Sequence, residues 1–203
     1  FHRLQQRRLR TLGRLRTGAR KPSNGPGRAL ITWRLTAPSK DLIVAAAGLY
    51  GGEVKPWESQ DGEQWEVVTA SSSLNVLVPP GGMFQQAELW TGGGCTRRCD
   101  GRTEQLSGQP CLCPSDIAEF RALGKVGQAC RTVTRLSVIL PDVRELGTWR
   151  MDTKSELAWT EMRTAMDVIE GIHTFTGRAV PASLRLDPRS RKVPGEGTRR
   201  YIV

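Results

Sequence analysis

The sequence predicts an α+β fold built on a mostly antiparallel sheet. Three observations carry this. Strand-like runs outnumber helical ones, and only two stretches, 40–50 and 154–175, carry a good helical pattern. The strand runs follow one another instead of alternating with helices, which argues against a parallel α/β sheet. Turn signals separate them: Asp61-Gly62, Pro79-Pro80-Gly81-Gly82 and Gly92-Gly93-Gly94. A chain of 203 residues has room for one ordinary domain, and its six Trp need a core to occupy.

Residues 1–28 carry nine basic groups and no acid. Leu9, Leu12 and Leu15 recur every three residues among arginines, which predicts a short amphipathic basic helix over 4–16. Gly13 costs that helix about 1 kcal/mol relative to Ala. Residues 18–28 (GARKPSNGPGR) read as a linker. The predicted organisation is a basic arm and linker, 1–28, and an α+β body, 29–203, with an insertion at 92–131.

The body opens on a strand, Ala29–Thr36. Ser39 is the predicted N-cap of a helix over 40–50, which Gly51 and Gly52 end. Strands follow at Glu53–Trp57, Gln64–Ala70, Asn75–Val78 and Gln86–Thr91. After the insertion come strands at Thr134–Leu140 and Thr148–Thr153. The longest helix, Lys154–Phe175, places Leu157, Met162, Ala165, Met166, Ile169 and Ile172 roughly on one face. Strands at Ala179–Leu186 and Arg199–Val203 finish the chain, joined by a basic loop.

The net charge of +10 sits at the two ends. Residues 185–203 add a net +4, so the remainder is 10 − 9 − 4 = −3. Basic ends on a mildly acidic body suit nucleic acid or an acidic partner, or simply a solvated tail. No apolar run approaches the roughly 18 residues of a membrane span, and the N-terminus lacks the apolar core of a signal peptide. The expectation is a cytoplasmic protein without membrane contact.

All five cysteines fall within residues 95–130, spaced C-x₃-C-x₁₁-C-x-C-x₁₆-C. Turn residues flank them, and Phe120 is the lone aromatic between Cys99 and Cys130. A loop this poor in apolar residues has little reason to fold without a metal. Zn²⁺ takes four thiolates tetrahedrally, so four of Cys95, Cys99, Cys111, Cys113 and Cys130 form the expected structural site. Cys95, Cys99 and Cys130 are the first three choices, with Cys111 and Cys113 competing for the fourth place. An iron–sulfur cluster, a disulfide or free thiols are the alternatives. No catalytic motif is present: G-x-S-x-G, a phosphate-binding P-loop and H-E-x-x-H are all missing. His2 lies in the tail, and His173 reads as a surface or satisfied helix residue.

Five stretches carry a resemblance: TWRLTAPSKDLIVAAAGLYGGEVKPW (32–57), ELWTGGGCTRRCDG (88–101), PCLCP (110–114), C-x₃-TRLSVILPDV (130–143) and GTWRMDTKSELA (147–158). Over roughly residues 5–190 the chain resembles the recombination directionality factors that accompany large serine integrases in temperate phages of actinobacteria. The resemblance implies a non-enzyme in the bacterial cytoplasm. It implies a partner, the phage-encoded large serine integrase, contacted near its coiled coil and zinc-bearing C-terminal region. Attachment-site DNA would be met mainly through the integrase. Excision, recombination between the hybrid sites, would be activated and integration inhibited. It also implies a structural metal held by cysteines of the matching motif. The expected partner-binding residues are Leu9, Leu12 and Leu15 of the basic helix, with Arg97 and Arg98 between two ligands. The competing readings are a DNA-binding phage accessory protein with a structural zinc site, a phage nuclease or hydrolase, and a structural phage component.

Overall fold

The computed structural model describes residues 9–20, 28–59, 62–193 and 197–202. Its elements run β1 (Thr11–Gly18), β2 (Ala29–Ala37), α1 (Lys40–Tyr50), β3 (Val54–Ser59), β4 (Gly62–Val68) and β5 (Ser73–Val78). Then come β6 (Met83–Thr91), β7 (Gly94–Cys99), α2 (Ile117–Lys125), β8 (Arg131–Val138), β9 (Thr148–Thr153) and α3 (Glu156–Thr176). The chain closes on β10 (Val180–Arg185), β11 (Pro188–Val193) and β12 (Gly197–Ile202).

The main sheet has eight strands in the order β3-β4-β2-β1-β9-β8-β6-β7. Every neighbouring pair is antiparallel except β1 and β9. The predicted α+β class and mostly antiparallel sheet are what the structure has. Two ribbons, β5-β10 and β11-β12, complete the strands.

Local chemistry sets the elements. The Ser39 hydroxyl accepts the Leu42 N–H and starts α1, as predicted, and the Gly51 N–H closes it on Ala47 O. The Ser155 hydroxyl caps α3 at Ala158 N–H, and Gly177 ends it in the left-handed region at φ 64. One sheet face builds the core: Leu15, Trp33, Leu35, Val67, Leu136 and Met151 meet Leu42, Ile43 and Ala46 of α1 and Met166 and Ile169 of α3. A cavity of about 340 Å³ remains between α3 and this face.

The N-terminal segment departs most from expectation. Residues 11–16 are not helix but the first part of β1, in the middle of the sheet between β2 and β9. Leu12 and Leu15 are buried at 4% and 2% exposure. The arginines that read as the polar side of a helix instead alternate with apolar residues at period two, the signature of a half-buried strand. A Cβ on Gly13 would stand 2.4 Å from Thr36 O and 2.6 Å from the buried Trp149 ring, so this glycine is what lets Trp149 pack. The presumed linker is the connection of a β1–β2 hairpin, closed by Ala19 N–H on Arg28 O at 2.8 Å. The arm therefore does not stand apart from the body over 11–18. Residues 4–8 of the predicted helix lie outside the described residues, as does Asp61 of the predicted turn.

Three smaller differences have local causes. Leu157 and Ile172 sit on the outer side of α3, at 45% and 41% exposure, and Ala165 is exposed too; the buried side is Met166, Ile169 and His173. The expected loop after β10 contains β11. The insertion holds α2, capped by Asp116 on Glu119 N–H, and β7, a strand hidden by the glycine run before it.

Candidate functional site

Two chemical features meet along the β6-β7-β8 edge of the sheet: a cluster of thiols and a layer of buried ion pairs.

β7 carries Cys95 and Cys99, and a bulge divides them. Cys99 pairs with Ala87 and Cys95 with Trp90, leaving one extra residue on β7 between. Partners three apart on β6 lie on opposite sheet faces, so the two cysteines do as well. From Cys99 the chain turns back through bridges Cys99↔Glu104 and Thr103↔Pro110. Cys111 N–H then bonds Arg102 O at 2.7 Å. This brings the Cys111 Sγ to 3.2 Å from the Cys99 Sγ. The Cys113 thiol lies close enough to Cys130, just before β8, and to Cys111 for both to affect its titration. Cys99, Cys111, Cys113 and Cys130 are thus one connected group. Cys95 Sγ instead meets Arg97 O at 3.2 Å and lies near Arg135 on the other face.

Two of the four thiols accept backbone N–H groups. Gly101 N–H points at Cys99 Sγ (3.3 Å) and Cys113 N–H at Cys111 Sγ (3.4 Å). Burial raises the Cys99 thiol pKa and pushes Cys113 up to about 11, while the Cys113 N–H and the Cys99 thiol lower Cys111. Glu104, which the sequence reading passed over, organises the turn. Its carboxylate accepts the N–H groups of Arg98, Leu106 and Ser107. Hydrogen bonds from Ser107 and from Arg98 N–H hold its pKa at about 2. The only hint in sequence is an acid three residues before Ser107-Gly108, a turn pattern.

As a donor set, four thiols suit a soft tetrahedral ion. Backbone N–H groups on two of the sulfurs are the outer-shell contacts such ligands use. The arrangement is tighter than a loaded site: sulfurs at about 2.3 Å from zinc stand about 3.8 Å apart, against 3.2 Å for Cys99 and Cys111. Among the described residues no three His, Cys, Asp or Glu side chains stand in ligating geometry.

The second feature lies on the sheet face away from α1 and α3. Glu88 of β6 is fully enclosed there. Its carboxylate accepts from Arg135 Nη2 (2.8 Å), Trp90 Nε1 (2.9 Å) and Arg98 Nε (3.1 Å). Burial alone would raise its pKa, but the bonds from Arg135 and Trp90 outweigh that and hold it at about 2. Across the sheet, Glu66 takes Arg34 Nε at 2.6 Å and Arg20 Nε at 2.7 Å. Between the two, Asp152 is shared by Arg14 (3.3 Å), Arg150 (2.9 Å) and Arg135 (3.8 Å). Aromatic rings roof the layer: Trp57 lies 4.6 Å from the Arg34 guanidinium and 4.8 Å from that of Arg16, and Phe84 lies over Arg135.

Of the expected partner-binding residues, Leu12 and Leu15 belong to the core and are closed to any partner, while Leu9 is exposed. Arg97 and Arg98 do not form one patch. Strand alternation sends Arg97 to Gln128 O (2.8 Å) and Arg98 to Glu88 on the opposite face. His173 is buried and only half satisfied: Nε2 bonds with Val78 O at 3.0 Å, while Nδ1 is buried with no hydrogen-bond partner among the described residues.

No solved structure matches the chain. Its sequence matches the Gp3-like family, described as recombination directionality factor-like, over residues 12–203. The match spans every strand but the first residue of β1, both sheet faces and all five cysteines. The chain therefore belongs to the recombination directionality factor-like family.

Proposed function

We propose that this protein binds the large serine integrase of its phage and redirects it, activating excision between hybrid attachment sites and inhibiting integration. The observation that carries this is the family match over residues 12–203. A directionality factor is a regulator of recombination, and on this reading the chain has no catalytic step of its own. Redirection is a population shift. Moving an equilibrium from 1:99 to 99:1 needs about 5.5 kcal/mol of differential binding, which a protein contact of ordinary size supplies. Action on an integrase at its DNA sites puts the protein in the bacterial cytoplasm. No helix among the described residues is long and apolar enough to cross a membrane.

The contact with the integrase, which we place near its coiled coil and zinc-bearing C-terminal region, is assigned to the outer side of α3. Val168, Ile172 and Phe175 follow at helical spacing and are 62%, 41% and 91% exposed. An apolar stripe of this kind on a folded surface marks a protein contact. Wild-type protein is expected to co-elute with the integrase. Val168→Asp and Phe175→Asp together should weaken that complex at least tenfold while leaving the thermal transition in place. Co-elution unchanged in the double variant would remove α3 from the interface, and no complex in the wild type would remove the function.

We further propose that Cys99, Cys111, Cys113 and Cys130 hold one structural Zn²⁺, leaving Cys95 out. The connected thiols and their N–H donors support this choice. Bound zinc would tie the 100–130 turns to β7 and β8, giving a chain segment with few apolar residues a fixed form. The thiols would open by about half an ångström to take tetrahedral spacing.

A further inference from the structure

The body carries a basic cleft that net charge conceals. Residues 29–184 are acidic by count, but folding places Arg14, Arg16 and Arg20 of the basic N-terminal segment beside Arg34 and Arg150 on the open face of the sheet. β1 and β9 run parallel with Arg14 opposite Arg150, and Arg16 of β1 stands opposite Arg34 of β2. Neighbouring strands lie about 4.8 Å apart, so these guanidinium groups form a row across three strands. With Arg20 they line a cleft of about 500 Å³. The carboxylates in its lining are Glu58 and Asp152, and Glu66 pairs with Arg20 and Arg34, so five cations meet three anions, a formal +2.

The ion pairs quench this charge only in part. Asp152 serves Arg14, Arg150 and Arg135 at once, and Glu66 serves both Arg20 and Arg34. Arg16 and Arg34 pack against Trp57, which fixes their planes and adds an aromatic surface to the cleft. Fixed planar guanidinium forks match tetrahedral oxyanions bidentately. A row of them, spaced by strands, fits a ligand whose negative charges also repeat. We propose that this cleft binds the phosphodiester backbone of nucleic acid, without reading its sequence. The inference is independent of the integrase contact on α3, because it rests on the opposite side of the sheet.

The test is fluorescence anisotropy with a labelled DNA duplex of arbitrary sequence, titrated at several salt concentrations between 50 and 200 mM. The basic chain ends are the same in every variant, so differences report the cleft. Each phosphate contact contributes about 0.9 to the slope of log K against log salt. Arg14→Ala with Arg150→Ala should weaken binding at least tenfold at 50 mM and flatten the slope by about 2. Glu58→Arg removes no contact that holds the fold, and it should tighten binding and steepen the slope by about 1. Identical slopes in all three proteins would overturn the proposal. So would a wild type that ignores DNA while the double alanine variant loses the integrase, since the cleft would then recognise an acidic protein surface.

Discussion

Glu88→Gln is expected to lower the unfolding free energy by about 3 kcal/mol at pH 7. The substitution keeps the shape and removes the charge. It leaves Arg135, at 8% exposure, with its nearest remaining carboxylate 3.8 Å away at Asp152. Removing one partner of a buried pair costs about 3–5 kcal/mol because the other charge stays buried and uncompensated. The effect depends on pH in a definite direction. Folding lowers the Glu88 pKa from 4.5 to about 2. Stability from a lowered carboxylate is complete above the unfolded pKa and is lost as pH falls through the folded one. Wild type and variant should therefore differ fully above pH 5 and converge between pH 4.5 and 2. Urea denaturation of both proteins at pH 7 and pH 3 checks this. A gap that is small at pH 7, or that widens at pH 3, contradicts the buried-pair account.

Removal of a single thiol should separate the cysteines into two classes. Metal analysis of purified protein is expected to give one zinc per chain in the wild type and in Cys95→Ser. Cys99→Ser, Cys111→Ser, Cys113→Ser and Cys130→Ser should each lose it. Structural zinc sites contribute on the order of 10 kcal/mol to the small domains that they hold, so loss should open the 100–130 turns to proteolysis. β1, β2, α1 and β4 pack through their own apolar residues and should stay protected. Equal zinc in Cys99→Ser and wild type, or loss in Cys95→Ser alone, would reject the proposed ligand set.

Much of the fold was legible because its signals are local. α1 lies where Ser39 and Gly51 put it, and β9 matches its predicted run residue for residue. The N-terminal segment was misread for a physical reason. In LQQRRLRTLGRLRTG both a three-residue and a two-residue period can be found, and arginine suits the exposed side of either element. What decides is tertiary: Gly13 lets the Trp149 ring approach, and the β1–β9 pairing buries Leu12 and Leu15. That parallel pairing joins residues more than 130 apart and leaves no mark in sequence spacing. The clustering of the cysteines was visible, but the bulge that turns Cys95 to the far face was not. Ordinary strand alternation, not the bulge, sends Arg97 and Arg98 to different faces. Net charge by segment hid the basic cleft, because it counted Arg14, Arg16 and Arg20 with the N-terminal arm and left Arg34 and Arg150 in a body of net negative charge.

On the proposed function, the protein sets the direction of recombination. The most direct measurement is recombination by the cognate integrase on hybrid-site and on attachment-site substrates, with and without this protein. Adding the protein is expected to make excision appear on the hybrid sites and integration fall on the attachment sites. No change in either reaction, with folded protein and active integrase, would contradict it.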